Sequence, residues 1–155
     1  MKKILLGFLL SSFTLSAAEN LQFSGTLIAP PTCTVNNEET IEIGFGDVAI
    51  EKIDGVNYTT LIGLYVYCNY PGRNHQMTLT IGGTISDFNP AAIETDVDGL
   101  GVEIKQNGKP FPINDVLSVE ELTFPLLEAV PVKKSGASLK DGSFEAWATI
   151  KVEYQ

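Results

Sequence analysis

The side chains in this 155-residue sequence that could do chemistry are few, and the two cysteines are the most informative. Cys33 and Cys68 are the only cysteines, and His75 is the only histidine. Two thiolates and one imidazole do not complete a tetrahedral zinc site. In an oxidising compartment an isolated cysteine pair is most simply a disulfide. On the chain-entropy model, closing a loop of this length would stabilise the fold by about 4 kcal/mol.

The other polar motifs do not predict catalysis. His75 follows the polar run 71–74, where a solvated position is expected rather than a partnership with a nucleophile. The run 96–99, Asp-Val-Asp-Gly, has the start of a calcium loop but lacks the remaining ligands and the closing glutamate, so a turn is predicted. We find no phosphate-cradling glycine motif and no metal-binding cluster. We therefore expect no enzyme, no metal site and no cofactor.

The N-terminus predicts export. Residues 1–3 are positively charged at the two lysines, Ile4 to Leu15 is mostly apolar, and Ser16-Ala17-Ala18 offers small residues for cleavage. A membrane anchor or a buried helix is the alternative, but the run is shorter than the roughly 20 residues of a transmembrane helix. We therefore predict a signal peptide at 1–18. Its removal would leave 137 residues, the size of one domain.

Charge limits the choice of partner. Without Lys2 and Lys3 the net charge changes from −9 to −11. Such acidity argues against nucleic acid or an anionic membrane surface. No later apolar run is long enough to predict membrane insertion.

The rest of the chain has the two-residue period of β-strands. Apolar residues alternate with others in four runs, at 41–45, 62–68, 77–81 and 100–104, and Asn107-Gly108 follows the last of these as a hairpin signal. Only 115–122 suggests a short helical turn. Seven or so short strands separated by turn signals predict an all-β fold, a sandwich of immunoglobulin type.

The C-terminal segment alternates without interruption from residue 144 to 154 and is preceded by Gly142. Such a long apolar face belongs against a core, yet the last strand has nothing after it to cover its outer edge. Trp147, on the opposite face, is expected to pack under the other sheet or a loop. The predicted groove strand comprises Gly142, Phe144, Ala146, Ala148, Ile150, Val152 and Tyr154.

A second strand-like segment lies at the start of the mature chain. Its alternating positions are Leu21, Phe23, Gly25, Leu27 and Ala29, and Pro30-Pro31 then separates it from Cys33. Proline donates no ladder hydrogen bond and interrupts strands. On pattern alone this arm is either a free strand or the first strand of its own sandwich.

Together these features resemble the pilins of chaperone–usher pili, such as type 1 and P pili. The resemblance rests on the ending Val-Glu-Tyr-Gln with its penultimate Tyr154, on Gly142 fourteenth from the end, on the early cysteine pair, and on the arm Phe-Ser-Gly-Thr-Leu-Ile before Pro-Pro-Thr-Cys. The runs 45–48 and 129–133 are also similar to minor pilins. The match covers nearly the whole mature chain.

The resemblance implies an immunoglobulin-like sandwich that lacks its last strand. Residues 19–31 would be a donor-strand extension and 32–155 the pilin domain. A periplasmic chaperone would fill the groove beside 144–154, and the arm of the following subunit would replace it at an outer-membrane usher. The arm of this chain would fill the groove of a neighbouring pilin, and the assembled fimbrium would lie at the cell surface.

Within the resembling family, size and the presence of an arm favour a minor subunit, a tip or adaptor pilin that contributes to adhesion. A shaft subunit and a terminator are the other positions. Outside the family, the alternative is a self-complete secreted β-sandwich that binds a ligand such as carbohydrate.

Overall fold

A computed structural model describes residues 21–27, 32–69, 76–120 and 123–154. The predicted signal peptide, Ala29, Pro30-Pro31 and His75 lie outside these ranges. Within them the chain is nearly all β, as predicted. The strands are β1 (Cys33–Val35), β2 (Thr60–Leu61), β3 (Val66–Cys68), β4 (Gln76–Gly83), β5 (Ile85–Ser86), β6 (Asn89–Glu94), β7 (Leu100–Gln106), β8 (Lys109–Pro110), β9 (Val116–Glu120), β10 (Leu127–Lys133) and β11 (Ala148–Tyr154). Two single 3-10 turns lie at Asn36–Glu38 and Ile50–Lys52.

The strands form three antiparallel sheets. The largest has the order β2-β10-β7-β6-β5, with β8 paired to β7. The second has the order β11-β4-β9, and β1 pairs with β3 in a small third sheet. Asn107 and Gly108 both have positive φ and turn β7 into β8, which fits the predicted hairpin.

The core lies between the two larger sheets. Met77, Leu79 and Ile81 of β4 are almost completely buried, and Val102 and Ile104 of β7 lie on the facing side. The inward row at every second position is what an alternating strand with one covered face requires.

Part of the outer face of the largest sheet is covered by the chain itself. Ala92, Val130 and Val132 form a small second cluster there, against the side chain of Phe88. The loop before β2 lies over the same side, because the Lys105 ammonium donates to the Gly55 carbonyl. This part of the face is therefore buried within the chain, whereas Leu61 at the β2 edge of the sheet is exposed.

Several sequence expectations are wrong in their detail, among them the strand expected at 41–45, which pairs with no other strand in the described residues. Residues 115–122 contain β9 rather than a helical turn, because Val116 to Glu120 pair with β4 along a full ladder. Only residues 66–68 of the predicted strand 62–68 form a strand. Burial still alternates along the whole segment, as the sequence predicts. Around Gly63 the chain leaves the ladder with β10 and joins β1, and the Leu64 amide donates back to the Ile62 carbonyl.

The C-terminal segment also changes sheets. Residues 148–154 pair with β4, whereas Ala146 bridges to Thr95 at the end of β6. The Glu145 amide donates to the Asp96 carboxylate over 2.7 Å, and the Asp96 amide donates to the Glu145 carbonyl. The predicted turn at 96–99 is also present, since the Leu100 amide donates to the Val97 carbonyl. The expected unbroken strand from 144 is shorter, because its first residues follow a different neighbour.

Candidate functional site

An open groove runs along the sandwich beside β11. Its volume is about 1610 Å³. One wall is the segment 139–152 and the other is the segment 38–51, with Cys33 to Val35 of β1 at one side. The floor is formed by core side chains of both large sheets: Ile62, Ile81, Ile93, Val102, Ile104 and Ala129.

The β11 wall presents the edge of a sheet. β11 is the edge of its sheet, paired with β4 on one side. Phe144, Ala146, Ile150, Val152 and Tyr154 are half-buried, whereas Ala148 is exposed. The residues of the predicted groove strand from Gly142 to Val152 line the groove. An edge strand with a half-covered apolar row is a ready template for another strand.

The opposite wall was only partly anticipated from the sequence. Ile41, Ile43 and Phe45 are half-buried and alternate with exposed Glu42 and Gly44, as a strand would. The sequence shows the alternation, but it does not indicate that this segment lines the groove. The segment belongs to no ladder in the described part of the chain, since the groove separates it from β11.

Two aromatic rings connect the walls at one place. Phe45 and Phe144 stack with their centroids 6.0 Å apart and their planes inclined by 22°. Both pack against the main core. Spacing alone could not reveal this pair, because its residues are 99 positions apart in the sequence.

None of residues 21–27 of the arm lines this groove. Leu21 is 72% exposed, Phe23 is 87% exposed and Leu27 is fully exposed. A Cβ atom added to Gly25 would meet no atom within 4 Å. The described part of the arm, residues 21–27, forms no strand with the body.

The disulfide fixes the base of the arm. Cys33 and Cys68 are bonded, as predicted, and are directly opposite each other in the β1–β3 pair. Beside them the Thr32 amide donates to the Asn69 side chain over 3.0 Å, and the Asn69 amide donates to the Thr32 carbonyl. The chain is therefore held firmly where it leaves the body towards the arm.

Trp147 corrects one expectation. Its side chain is 74% exposed and does not pack under the other sheet or a loop. Trp147 is also among the residues that line the groove.

No group of three or more potential metal ligands occurs in the described ranges. The two clear pKa shifts are at Asp54, whose pKa is lowered by amides of Asn57 and Val56, and at Lys134, whose pKa is raised by the hydrogen bond to Asp87. Neither residue belongs to the β11 wall. None of the described helices is long and apolar enough to cross a bilayer.

The structure is a β-sandwich with an apolar groove beside its last strand. Comparison of the chain with known proteins identifies the family that has this architecture. The family model for fimbrial proteins matches residues 21–155. The chain therefore belongs to the fimbrial protein family. Within that family it is a pilin of the chaperone–usher type, and its immunoglobulin-like fold is that of structural subunits rather than enzymes.

Individual relatives agree. The fimbrial-like protein YfcQ of Escherichia coli strain K12 is 42% identical over 150 residues, covering 94% of this chain and 93% of that protein. The Escherichia coli fimbrial adapter PapF is 21% identical, covering 97% and 96%. The crystal structure of the P pilus rod subunit PapA superposes with a TM-score of 0.63 at 21% identity, covering 88% of this chain and all of that one. Family membership implies export through the periplasm to a surface fimbrium and association with other pilins.

Proposed function

We propose that this pilin is a minor subunit, at the tip or in an adaptor position, that polymerises by donor-strand exchange and contributes to adhesion. Its groove first accepts a strand from a periplasmic chaperone. At an outer-membrane usher, the arm of the following subunit replaces that strand. The arm of this chain, residues 19–31, enters the groove of its neighbour.

One observation carries the proposal: the groove is uncovered while an apolar arm of the same chain lies exposed. β11 is an edge strand, and its half-buried apolar row faces a gap that no described segment fills. Addition of a strand to such an edge gives main-chain hydrogen bonds and pockets for alternate side chains. Leu21, Phe23 and Leu27 have the spacing that those pockets require.

The energetic driving force is burial. Each of the three large side chains of the arm would contribute about 1.5–3 kcal/mol if fully buried. In the free chain all three are largely exposed to water. Binding in a groove on another molecule would therefore bury apolar side chains that remain exposed when the body folds.

The position in the fibre is proposed on weaker similarities. The fimbrial adapter PapF and the minor fimbrial protein PrsF are each 21% identical to this chain over nearly its whole length. The arm disfavours a two-domain adhesin at the extreme tip, and the open groove disfavours a terminator, which would have no usable acceptor. A minor subunit inside the fibre is consistent with both the arm and the open groove.

The decisive experiment supplies a strand in cis. A copy of residues 19–31 is fused after Gln155 through a flexible linker, and the mature chain is purified with and without this fusion. We expect the unfused chain to aggregate without a chaperone and the fused chain to be a monomer with a clear thermal transition. The matched control carries Ser at the fused copies of Leu21, Phe23 and Leu27.

A stable monomer without any fusion, and no gain in melting temperature with it, would contradict the proposal and favour the self-complete sandwich. Co-expression with candidate periplasmic chaperones, followed by affinity purification, tests the first step separately. We expect a one-to-one complex that the fused chain no longer forms.

A further inference from the structure

An apolar patch lies on the outside of the molecule, away from the groove. Four large side chains are each more than half exposed there: Leu61, Tyr65, Tyr67 and Leu126. We call this set the tyrosine patch. Single exposed apolar residues are ordinary, but a contiguous group usually marks an interaction surface.

Alternating burial along the segment 61–67 and the β2–β10 ladder place these residues on the outward side of the body. Leu61, Tyr65 and Tyr67 share the outward parity of the segment 61–67, whose inward residues are buried or half-buried. The Ile62 amide donates to the Leu127 carbonyl, which continues the β2–β10 ladder and sets Leu126 beside Gly63. Gly63 has no side chain, so the surface between Leu61 and Tyr65 is shallow and accessible.

The patch adjoins the base of the arm. Tyr67 is directly opposite Thr34 of β1, and Asn69, two residues further on, hydrogen-bonds Thr32. From Thr32 back to Leu27 the chain has five steps, which span at most about 18 Å when fully extended. Any protein that binds the arm up to Leu27 is therefore held close to this end of the body.

The chemistry of the patch fits a protein surface. Tyrosine side chains are enriched at protein–protein interfaces, since they combine a large apolar area with a polar end. The four residues carry no charge, so this acidic chain would bring no carboxylate of the patch against a partner by contact through them.

We propose that the tyrosine patch contacts the body of the neighbouring pilin whose groove holds the arm, forming a second interface that restricts the angle between the two subunits. This inference rests on the proposed function, because it requires the arm to be bound by that neighbour. The arm supplies the attachment, and the patch supplies stiffness at the joint.

Photo-crosslinking in cells that assemble the fimbrium tests the proposal. p-Benzoylphenylalanine replaces Ser24 in the arm, Tyr67 in the patch, or Val116, an exposed residue on the outer face of the other sheet, in three separate full-length chains. Crosslinked partners are identified by mass spectrometry. We expect positions 24 and 67 to give the same fimbrial protein and position 116 to give none.

Each other outcome has one meaning. If position 24 captures a fimbrial protein and position 67 captures none or a different one, the patch proposal is wrong and donor-strand exchange stands. If position 116 captures the same protein as position 67, the contact is not particular to the patch, and the proposal also fails. If position 24 captures no fimbrial protein, the proposed function itself is wrong.

A double variant supplies a second measurement. Tyr65→Ser with Tyr67→Ser leaves the inward row unchanged, so the body should fold and the arm should still crosslink from position 24. With the photo-crosslinker at position 61, we expect the yield of crosslink to the neighbour to fall by at least about fivefold, as for loss of aromatic anchors in an interface. An unchanged yield from position 61 would overturn the patch as an interface.

Discussion

β4 and the arm carry the same kind of pattern in opposite surroundings. In β4 the alternating residues Met77, Leu79 and Ile81 are almost completely buried, with β11 on one side and β9 on the other. In the arm, Leu21 and Phe23 have the same spacing and are exposed. The local sequence decides which residues share a face, but only neighbouring strands decide whether that face is covered.

β11 lies between these two extremes. It has β4 on one side and the groove on the other, and its apolar row is half-buried. The three segments therefore form a series with two, one and no neighbours. In a chain that builds fibres, the missing neighbours of β11 and of the arm are expected to come from other molecules.

The largest expected effect is on the free energy of unfolding, and it distinguishes the buried row of β4 from the exposed row of the arm. Leu79→Ala removes a completely buried side chain, so the free energy of unfolding should fall by about 2–5 kcal/mol. Leu27→Ala in the native arm should change it by less than about 0.5 kcal/mol, because the residue contacts solvent. Urea denaturation of the chain with the fused arm copy measures both values. Equal losses for the two variants would show that the arm packs on its own body.

The next effect tests whether the arm acts only between molecules. Gly25→Leu has open space around it in the free chain and should fold normally. In a neighbour's groove the added side chain overpacks the site, and incorporation into fimbriae should fall by about tenfold or more. Ser24→Leu, which adds a similar side chain at the opposite parity, is the matched control. Normal incorporation of Gly25→Leu would contradict the assigned role of the arm.

The smallest effect concerns a turn held by local bonds rather than by strand neighbours. The Asp54 carboxylate accepts hydrogen bonds from the amides of Val56 and Asn57, and these lower its pKa below the ordinary value of 3.8. A carboxylate whose pKa is lowered by folding stabilises the protein at pH values above its ordinary pKa. This contribution is lost as the pH falls through the lowered pKa of the folded state. Asp54→Ala should therefore reduce the melting temperature slightly at pH 7 and less below pH 3.8.

The measurement is a comparison of melting temperatures from neutral to acidic pH, with Asp115→Ala as a control for loss of an exposed carboxylate from another turn. A difference between wild type and Asp54→Ala that grows as the pH falls would contradict the assigned direction of the pKa shift.

Much of the fold could be read from the sequence, because alternation is a local property. The inward rows of β4 and β7, the hairpin at Asn107-Gly108 and the disulfide were all predicted correctly. β9 was mistaken for a helical turn, since five residues with weak alternation do not show their partner. Its ladder with β4 is a long-range feature.

The sequence by itself determined which side chains lie on each strand face, where the chain turns, and that two segments at its ends carry apolar rows. Only the tertiary structure decided which rows are covered, that Ile41 to Phe45 form the second wall of the groove, and that Phe45 meets Phe144 across it. The physical reason is range. Side-chain direction depends on the backbone of adjacent residues. Burial depends on strands that are distant in the sequence and, at the groove, on a strand that the described part of this chain does not supply.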